Sequence, residues 1–473
     1  RLLTSIGVKV DTIQDQDYLE TTLRDDVYTG VISYANWQEK GLQSQAFKKD
    51  RAAFSGRKLH IGLTMDEEEK AGFEGSFLQL SHRQFTLIHQ GEVFQQQLEY
   101  QDQTLVLDTQ QGTMFGTLET QELQTQRYPF GVIQGNEAFL PMYSNRGAIF
   151  LQSAELIRAW LDKEATYKPM LTFKGLSPLN DLTVANEFID RINRSSVYYT
   201  LSSTSAYRNN DLRVYNAFTD LLDKAQGAGL IFLSVPAVNS ADTKDGRVLQ
   251  TIMEETISLL VSKNLYPVGI SAPGYWNQDV QYRQDALGYG GAVILEENPS
   301  TEDIHYRVQD NRATTYETAF YSLDASYLEN IQWNLDQGGS SYTFPMPVSF
   351  AYDFPKDKEE EKDIFSRLQS SPFNFNQHYD NQYVFHVATQ TQDIEYVEGR
   401  LVLNGQTVNQ FVDDEQTVLP KAEYQGLFAN FFHRINTGLI WFIGVVLVIL
   451  AVLFLQGNRN YRSKYVKRRG KKT

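Results

Sequence analysis

The stretch VYYTLSSTSAYRNNDLRVYNAFTDLLDKAQGAGLIFLSV, Val197–Val235, decides how the chain is read. It opens on VYYTL, an aromatic and β-branched run with the composition of a buried strand. Next, DLRVYNAFTDLLDKAQ sets Val214, Phe218, Leu221, Leu222 and Ala225 on one face at helical spacing and stops at Gly227 and Gly229. It closes on LIFLSV, Leu230–Val235, an apolar run suited to a strand covered on both faces. Strand, amphipathic helix and strand make a βαβ unit, in which the strands run parallel and the crossover is right-handed.

The same rhythm extends in both directions. Upstream, SAELIRAWL (Ser153–Leu161) reads as a helix capped by Ser153, with apolar residues at 157, 160 and 161. PMLTFKGL (Pro169–Leu176) reads as a strand, and DLTVANEFIDRI as a helix with Ala185, Phe188, Ile189 and Ile192 inward. Downstream, a helix through Leu249, Ile252, Met253 and Leu260 leads to the strand PVGIS (Pro267–Ser271). Further strands are GGAVILE (Gly290–Glu296) and FPMPVSFAY (Phe344–Tyr352). The repeat of roughly 25–40 residues predicts an α/β fold over 148–390, a (β/α) barrel, complete or short of a strand.

Two other textures precede it. Residues 1–65 read as a small, truncated α/β domain with strands at Val27–Tyr34 and Lys58–Thr64, and without a Gly-rich loop for phosphate. Residues 66–147 alternate with period two in FTLIHQGEVF and QTLVLDTQQGTMFGTLE, which predicts antiparallel hairpins in a β-rich insertion or small β domain. After the barrel, 391–434 reads as a juxtamembrane strand and helix segment, and KDKEEEKDIFSRL before it as a solvated helix with one apolar side.

The 435–455 segment, INTGLIWFIGVVLVILAVLFL, carries no charge over 21 residues. At about 1.5 Å per residue a helix there is long enough for a bilayer core. The tail 456–473 holds eight basic residues and no acid, and such tails stay on the cytoplasmic side. The expectation is a cell-membrane protein with one C-terminal span, an extracellular body and a cytoplasmic tail, exported by an N-terminal signal since removed. Net charge is −15, which leaves −23 once the tail's +8 is removed, so nucleic acid is excluded as a partner. There is no cysteine, hence no disulfide and no thiolate chemistry.

Four landmarks carry a resemblance: LTFKGLSP (Leu171–Pro178), the Val197–Ser240 segment, ISAPGYW (Ile270–Trp276) and SFAYDFP (Ser349–Pro355). Together they resemble the polysaccharide deacetylase superfamily, and within it membrane-anchored deacetylase-like proteins whose barrel follows an N-terminal α/β domain. The resemblance covers about 145–390, and 1–65 more loosely. It implies a divalent metal held by an Asp and two His, with a second Asp as general base. In this sequence the Asp pair falls on Lys174 and Gly175, the two His on Ser234 and Val238, and the Pro-His-Tyr position on Gly274. None of the expected ligands is present, so the resemblance implies a degenerate site with no metal, no cofactor and no catalytic residue.

Other candidates are fewer. The histidines are His60, His82, His89, His305, His378, His386 and His433, and His378 and His386 with Asp380 form the best cluster. Ser234 and Ser271 sit at strand ends outside any nucleophile elbow. Glu296-Glu297 and Asp413-Asp414 are adjacent pairs that read as surface charge. Tyr275, Trp276 and Asp353 are the candidate glycan contacts at the barrel mouth, with the alternative that the rings merely cover the barrel's end. Three functions follow: a non-catalytic protein holding cell-surface polysaccharide, or a membrane glycosyltransferase or export partner; an active metal-dependent polysaccharide deacetylase or carbohydrate esterase with a non-standard site; or a structural or adhesive surface protein.

Overall fold

Seven strands form a closed barrel in the computed structural model of the chain. They are β1 (Met170–Leu176), β2 (Tyr199–Ser203), β3 (Gly229–Ser234), β4 (Gly269–Pro273), β5 (Ala292–Glu296), β6 (Thr318–Asp324) and β7 (Val348–Asp353). The structure describes residues 1–408 apart from 37–40, 122–123, 196, 207–209, 237–247, 300–303, 305, 307, 340–341 and 376–381. Every neighbouring pair is parallel, and β7 closes on β1 from Met170↔Ser349 to Lys174↔Asp353. The predicted mixed α/β barrel is therefore closed. β6 lies in TAFYSLD, a run the periodicity did not single out, because no helix separates it from β5 at the expected spacing.

Helices clothe the barrel where the apolar faces required them. Leu182–Arg194 is capped by Asp181, whose side chain accepts from the backbone N–H of Thr183 and Val184, and it buries Ala185, Phe188, Ile189 and Ile192. Phe188 meets Phe173 of β1 edge-on, centroids 4.9 Å apart. Arg213–Gln226 buries Phe218, Leu221, Leu222 and Ala225 as read, but Val214 is exposed and Tyr215 takes the inward place expected of it, while Val248–Ser262 buries Leu249, Ile252, Met253 and Leu260. The helix before β1 runs Gly147–Trp160, so Ser153 is a buried interior residue and not a cap. The apolar GAIFLQ turns ahead of it continue the same buried stripe. Lys358–Ser370 is helical as read, but its Glu361 is buried and accepts a hydrogen bond from Arg191 at 2.9 Å, so that face is not simply solvated.

Most strands expected in 1–65 and in 66–147 share one sheet, but Gln101–Asp108 does not pair with Thr113–Gln121 as a hairpin and forms a separate antiparallel pair with Ser76–Arg83. The order of the shared sheet is Gln332–Trp333, Phe94–Gln97, Phe85–Ile88, Thr113–Gln121, Thr125–Gln134, Glu137–Leu140, Arg57–Gly62 and Gly30–Ala35. The hairpins are antiparallel, while Glu137–Leu140, Arg57–Gly62 and Gly30–Ala35 pair in parallel. The edge strand Gln332–Trp333 comes from the segment between β6 and β7, and Val10–Asp11 pairs with Arg312–Ala313 in a separate two-stranded sheet, so the N-terminal region and the barrel segment are stitched twice. One apolar cluster runs from Leu2 to Leu401 through both.

A four-stranded antiparallel sheet, Phe385–Ala388, Asp393–Val397, Arg400–Leu403 and Gln406–Thr407, follows the barrel. It abuts the N-terminal end of the barrel: Gly291 N–H, just before β5, donates to His386 O at 2.8 Å. Phe385 stacks with Phe320 of β6 at 6.2 Å and meets Phe232 of β3 edge-on at 6.2 Å, so aromatic rings plug that end. Among the described residues no helix is long and apolar enough to cross a membrane. The predicted span 435–455, the tail 456–473 and the helical part of 391–434 lie outside them.

Candidate functional site at the barrel mouth

The barrel's lumen is polar at its C-terminal end. Phe173 and Tyr199 pack outward, onto each other and Phe188, which turns their strand neighbours Thr172, Lys174, Thr200 and Ser202 inward. Thr172 accepts from Ser349 across the β1–β7 seam at 2.8 Å. One layer nearer the mouth, Ser202 Oγ of β2 is 2.6 Å from Ser271 Oγ of β4 and donates to Glu296 Oε1 of β5 at 3.0 Å. β2 is a sheet neighbour of neither β4 nor β5. These bonds therefore pass through the lumen, and they place the Glu296 carboxyl inside the barrel.

Above that chain sits Lys174. Its ammonium is 2.8 Å from Asp353 Oδ1, its register partner on β7. Burial works against the ammonium's charge most strongly, but the Asp353 hydrogen bond and the charges of Asp353, Asp324 and Glu296 outweigh it and hold its pKa above the ordinary lysine value. Glu296 moves the other way from a free carboxylate. Burial raises its pKa, and the Ser202 and Ser271 hydrogen bonds and the Lys174 charge offset only part of that, with Asp353 adding to the rise.

The residues named from sequence fare unequally. Lys174, Ser234 and Gly274 stand at or just beyond the C-terminal ends of β1, β3 and β4, at one mouth, as the barrel reading required. Gly175 is a bulge residue at φ 86° between Lys174 and Leu176, with no atom within 4 Å of an added Cβ, so glycine is held there by backbone conformation alone. A Cβ on Gly274 would meet Arg1 Cγ at 2.3 Å, so that glycine serves close packing. Val238 lies outside the described residues, as do His305, His378, Asp380, His433 and the pair Asp413-Asp414.

Tyr275 and Trp276 do not present their faces. They are 8% and 7% exposed, Trp276 lies 4.0 Å from the Tyr282 ring, and Tyr275 is edge-on to Trp276 and Tyr306. The short helical turn Gly274–Gln278 folds both rings into the core, so they are corrected from glycan contacts to packing. Asp353 does reach the rim, tied to Lys174. Glu296 is the principal omission: its adjacency to Glu297 was read as surface charge, whereas Glu297 is exposed and Glu296 is half-buried with its carboxyl bonded to Ser202. Ser202 and Asp324 were not singled out either, and Ser271 was weighed only as a nucleophile. The signal available was position, since each stands near the C-terminal end of a barrel strand.

A deacetylase-type metal does not fit these donors. Imidazole and carboxylate hold such a metal together, whereas the mouth offers hydroxyls and carboxylates gathered on the Lys174 ammonium, and no imidazole among the described residues. The described histidines lie elsewhere: His60 on Glu69, His82 on Tyr100, His89 on Glu155, and His386 on Asp393 at the opposite end of the barrel. Among the described residues His386 with Asp393 and Glu395 has donor atoms within 4.8 Å of one another, while the expected partners His378 and Asp380 lie outside them.

Among solved structures the chain is similar to a family 4 carbohydrate esterase from Bacillus anthracis, at 15% identity and a TM-score of 0.23, over 50% of this chain and 95% of that one. At that TM-score the likeness transfers no residue roles. No family model matches the chain, and no curated protein does.

Proposed function

We propose that this chain is a membrane-anchored, deacetylase-like protein whose barrel mouth holds a cell-surface polysaccharide without hydrolysing it. One observation supports the reading above the others: the Lys174–Asp353 ion pair stands at the strand ends where the resemblance sets a metal and its Asp. A protein-borne cation there repels a second cation and cannot ligate one. Ammonium, carboxylates and hydroxyls do suit sugar hydroxyls, which both donate and accept. The span 435–455 would anchor the body outside the membrane, beside a glycosyltransferase or export partner that makes or moves the polysaccharide.

A metal-free esterase is the less supported reading. The Ser202–Ser271–Glu296 chain supplies hydroxyls beside a carboxyl, but Ser202 and Ser271 are 1% and 0% exposed, out of a substrate's reach. The test is affinity electrophoresis through gels containing surface polysaccharide from the source cell. Retarded migration that weakens in a Lys174→Ala variant of unchanged melting temperature is the expected result. Unretarded migration of the unaltered chain would overturn the reading.

A further inference from the structure

A second space lies beside the mouth. A cleft of about 1440 Å³ runs between the 96–103 segment, the 141–149 segment and the turn Ser326–Asn330 after β6. Pockets for single small ligands hold roughly 300–1,000 Å³, so this cleft has room for an extended ligand. It joins the barrel rim through named contacts. Asn145 donates to Glu297 Oε1 at 3.1 Å, the Tyr327 hydroxyl bonds the same carboxylate, and Glu297 directly follows Glu296 of the lumen.

We infer that this cleft binds an uncharged polysaccharide segment several sugars long and leads it to the barrel mouth. The lining carries the chemistry for that class. Tyr100 is 53% exposed with His82 stacked on one side, and Tyr327 carries Arg146 over one face, so each leaves its other face for the C–H side of a pyranose ring. Gln101 and Asn330 bring amides that donate and accept as hydroxyl and acetamide groups require, and Gln96 and Gln103, whose oxygens already accept from Ala148 N–H and Gln79, add N–H donors. Charge argues against an anionic chain. Arg146 is the one basic side chain on the described lining, against Glu99 and Asp102, and its guanidinium is held against Tyr327, 4.2 Å over the ring and 3.2 Å from the hydroxyl. A nucleic acid or phosphorylated ligand would need the opposite balance.

This inference rests on the glycan reading of the mouth and adds where the rest of the chain lies. The test is calorimetric titration of the purified protein with the di- and hexasaccharides of N-acetylglucosamine and with a galacturonate hexasaccharide. Tyr100→Ala, on an exposed side chain, and Tyr327→Ala are compared after melting curves confirm their fold. The hexasaccharide should bind more tightly than the disaccharide and than the uronate. Each variant should weaken the hexasaccharide by about three- to tenfold and leave the disaccharide unchanged. Hexasaccharide affinity equal to that of the disaccharide, or indifferent to both variants, would overturn the cleft and leave the mouth reading standing. Tighter uronate binding would overturn the ligand class, and no binding of any sugar would overturn both.

Discussion

Glu296 shows how a single residue hides in sequence and dominates a site in space. In AVILE it ends an apolar strand, but a strand buried on both faces has no polar alternation to tell lumen from exterior. Its environment has a consequence for stability. The folded pKa is raised above the unfolded 4.5, so the native state binds the extra proton, and stability falls as pH rises from about 4.5 through the folded value. Glu296→Gln should therefore melt higher than the unaltered chain at pH 7–8, with the gap closing below pH 4.5. A melting series across pH checks this, and a gap that grows toward low pH would contradict it. Glu69 carries the opposite sign. Burial raises its pKa, but hydrogen bonding and charge from His60, with Arg51 and Lys48, outweigh that and hold it below 4.5. Its contribution is present above pH 4.5 and lost as pH falls through the depressed value. Glu69→Gln should cost about 3 kcal/mol at neutral pH, read from denaturant midpoints, because buried Arg51 loses a partner at 3.0 Å. Gly175 differs again. The resemblance alone suggested a lost Asp, yet at φ 86° any side chain there is strained.

At the scale of elements, long amphipathic helices were legible because their apolar spacing is unambiguous, as in Leu182–Arg194 and Arg213–Gln226. Six barrel strands were legible from their apolar runs. β6 was not, since the irregular stretch after Glu296 breaks the βα rhythm on which the reading relied. The turn Gly274–Gln278 was placed correctly at the mouth, but the direction of its rings is set by Tyr282 and Tyr306, which sequence proximity could not reveal. Gly269 tests the packing of the barrel's interior. An added Cβ would lie 2.2 Å from Phe232 Cε1, and Phe232 is fully buried against Phe320 and Phe385. Gly269→Ala should cost about 1–3 kcal/mol by overpacking, measured as a lower denaturant midpoint at unchanged slope. An unchanged midpoint would mean the β3–β4 seam is looser than described.

At the scale of the whole molecule, the βα periodicity predicts the fold class and the change of texture near residue 147, but not that a strand from the barrel segment edges the sheet or that one core runs through both. The pairings Gln332↔Gln95 and Val10↔Ala313 join residues hundreds of positions apart, and no local pattern announces them. The proposed topology is open to test in cells. Protease added to intact protoplasts should remove the body and spare an epitope after Lys472, and Val446→Arg should weaken anchoring by about 2.5–3.5 kcal/mol of insertion free energy. The central claim is that the barrel mouth binds glycan through its own charged and hydroxyl groups and not through a metal. The most direct measurement is acetate release from acetylated polysaccharide, followed with added zinc and with a chelator. The account predicts no release above background in either condition. Release by the unaltered chain that a chelator abolishes and zinc restores would contradict it.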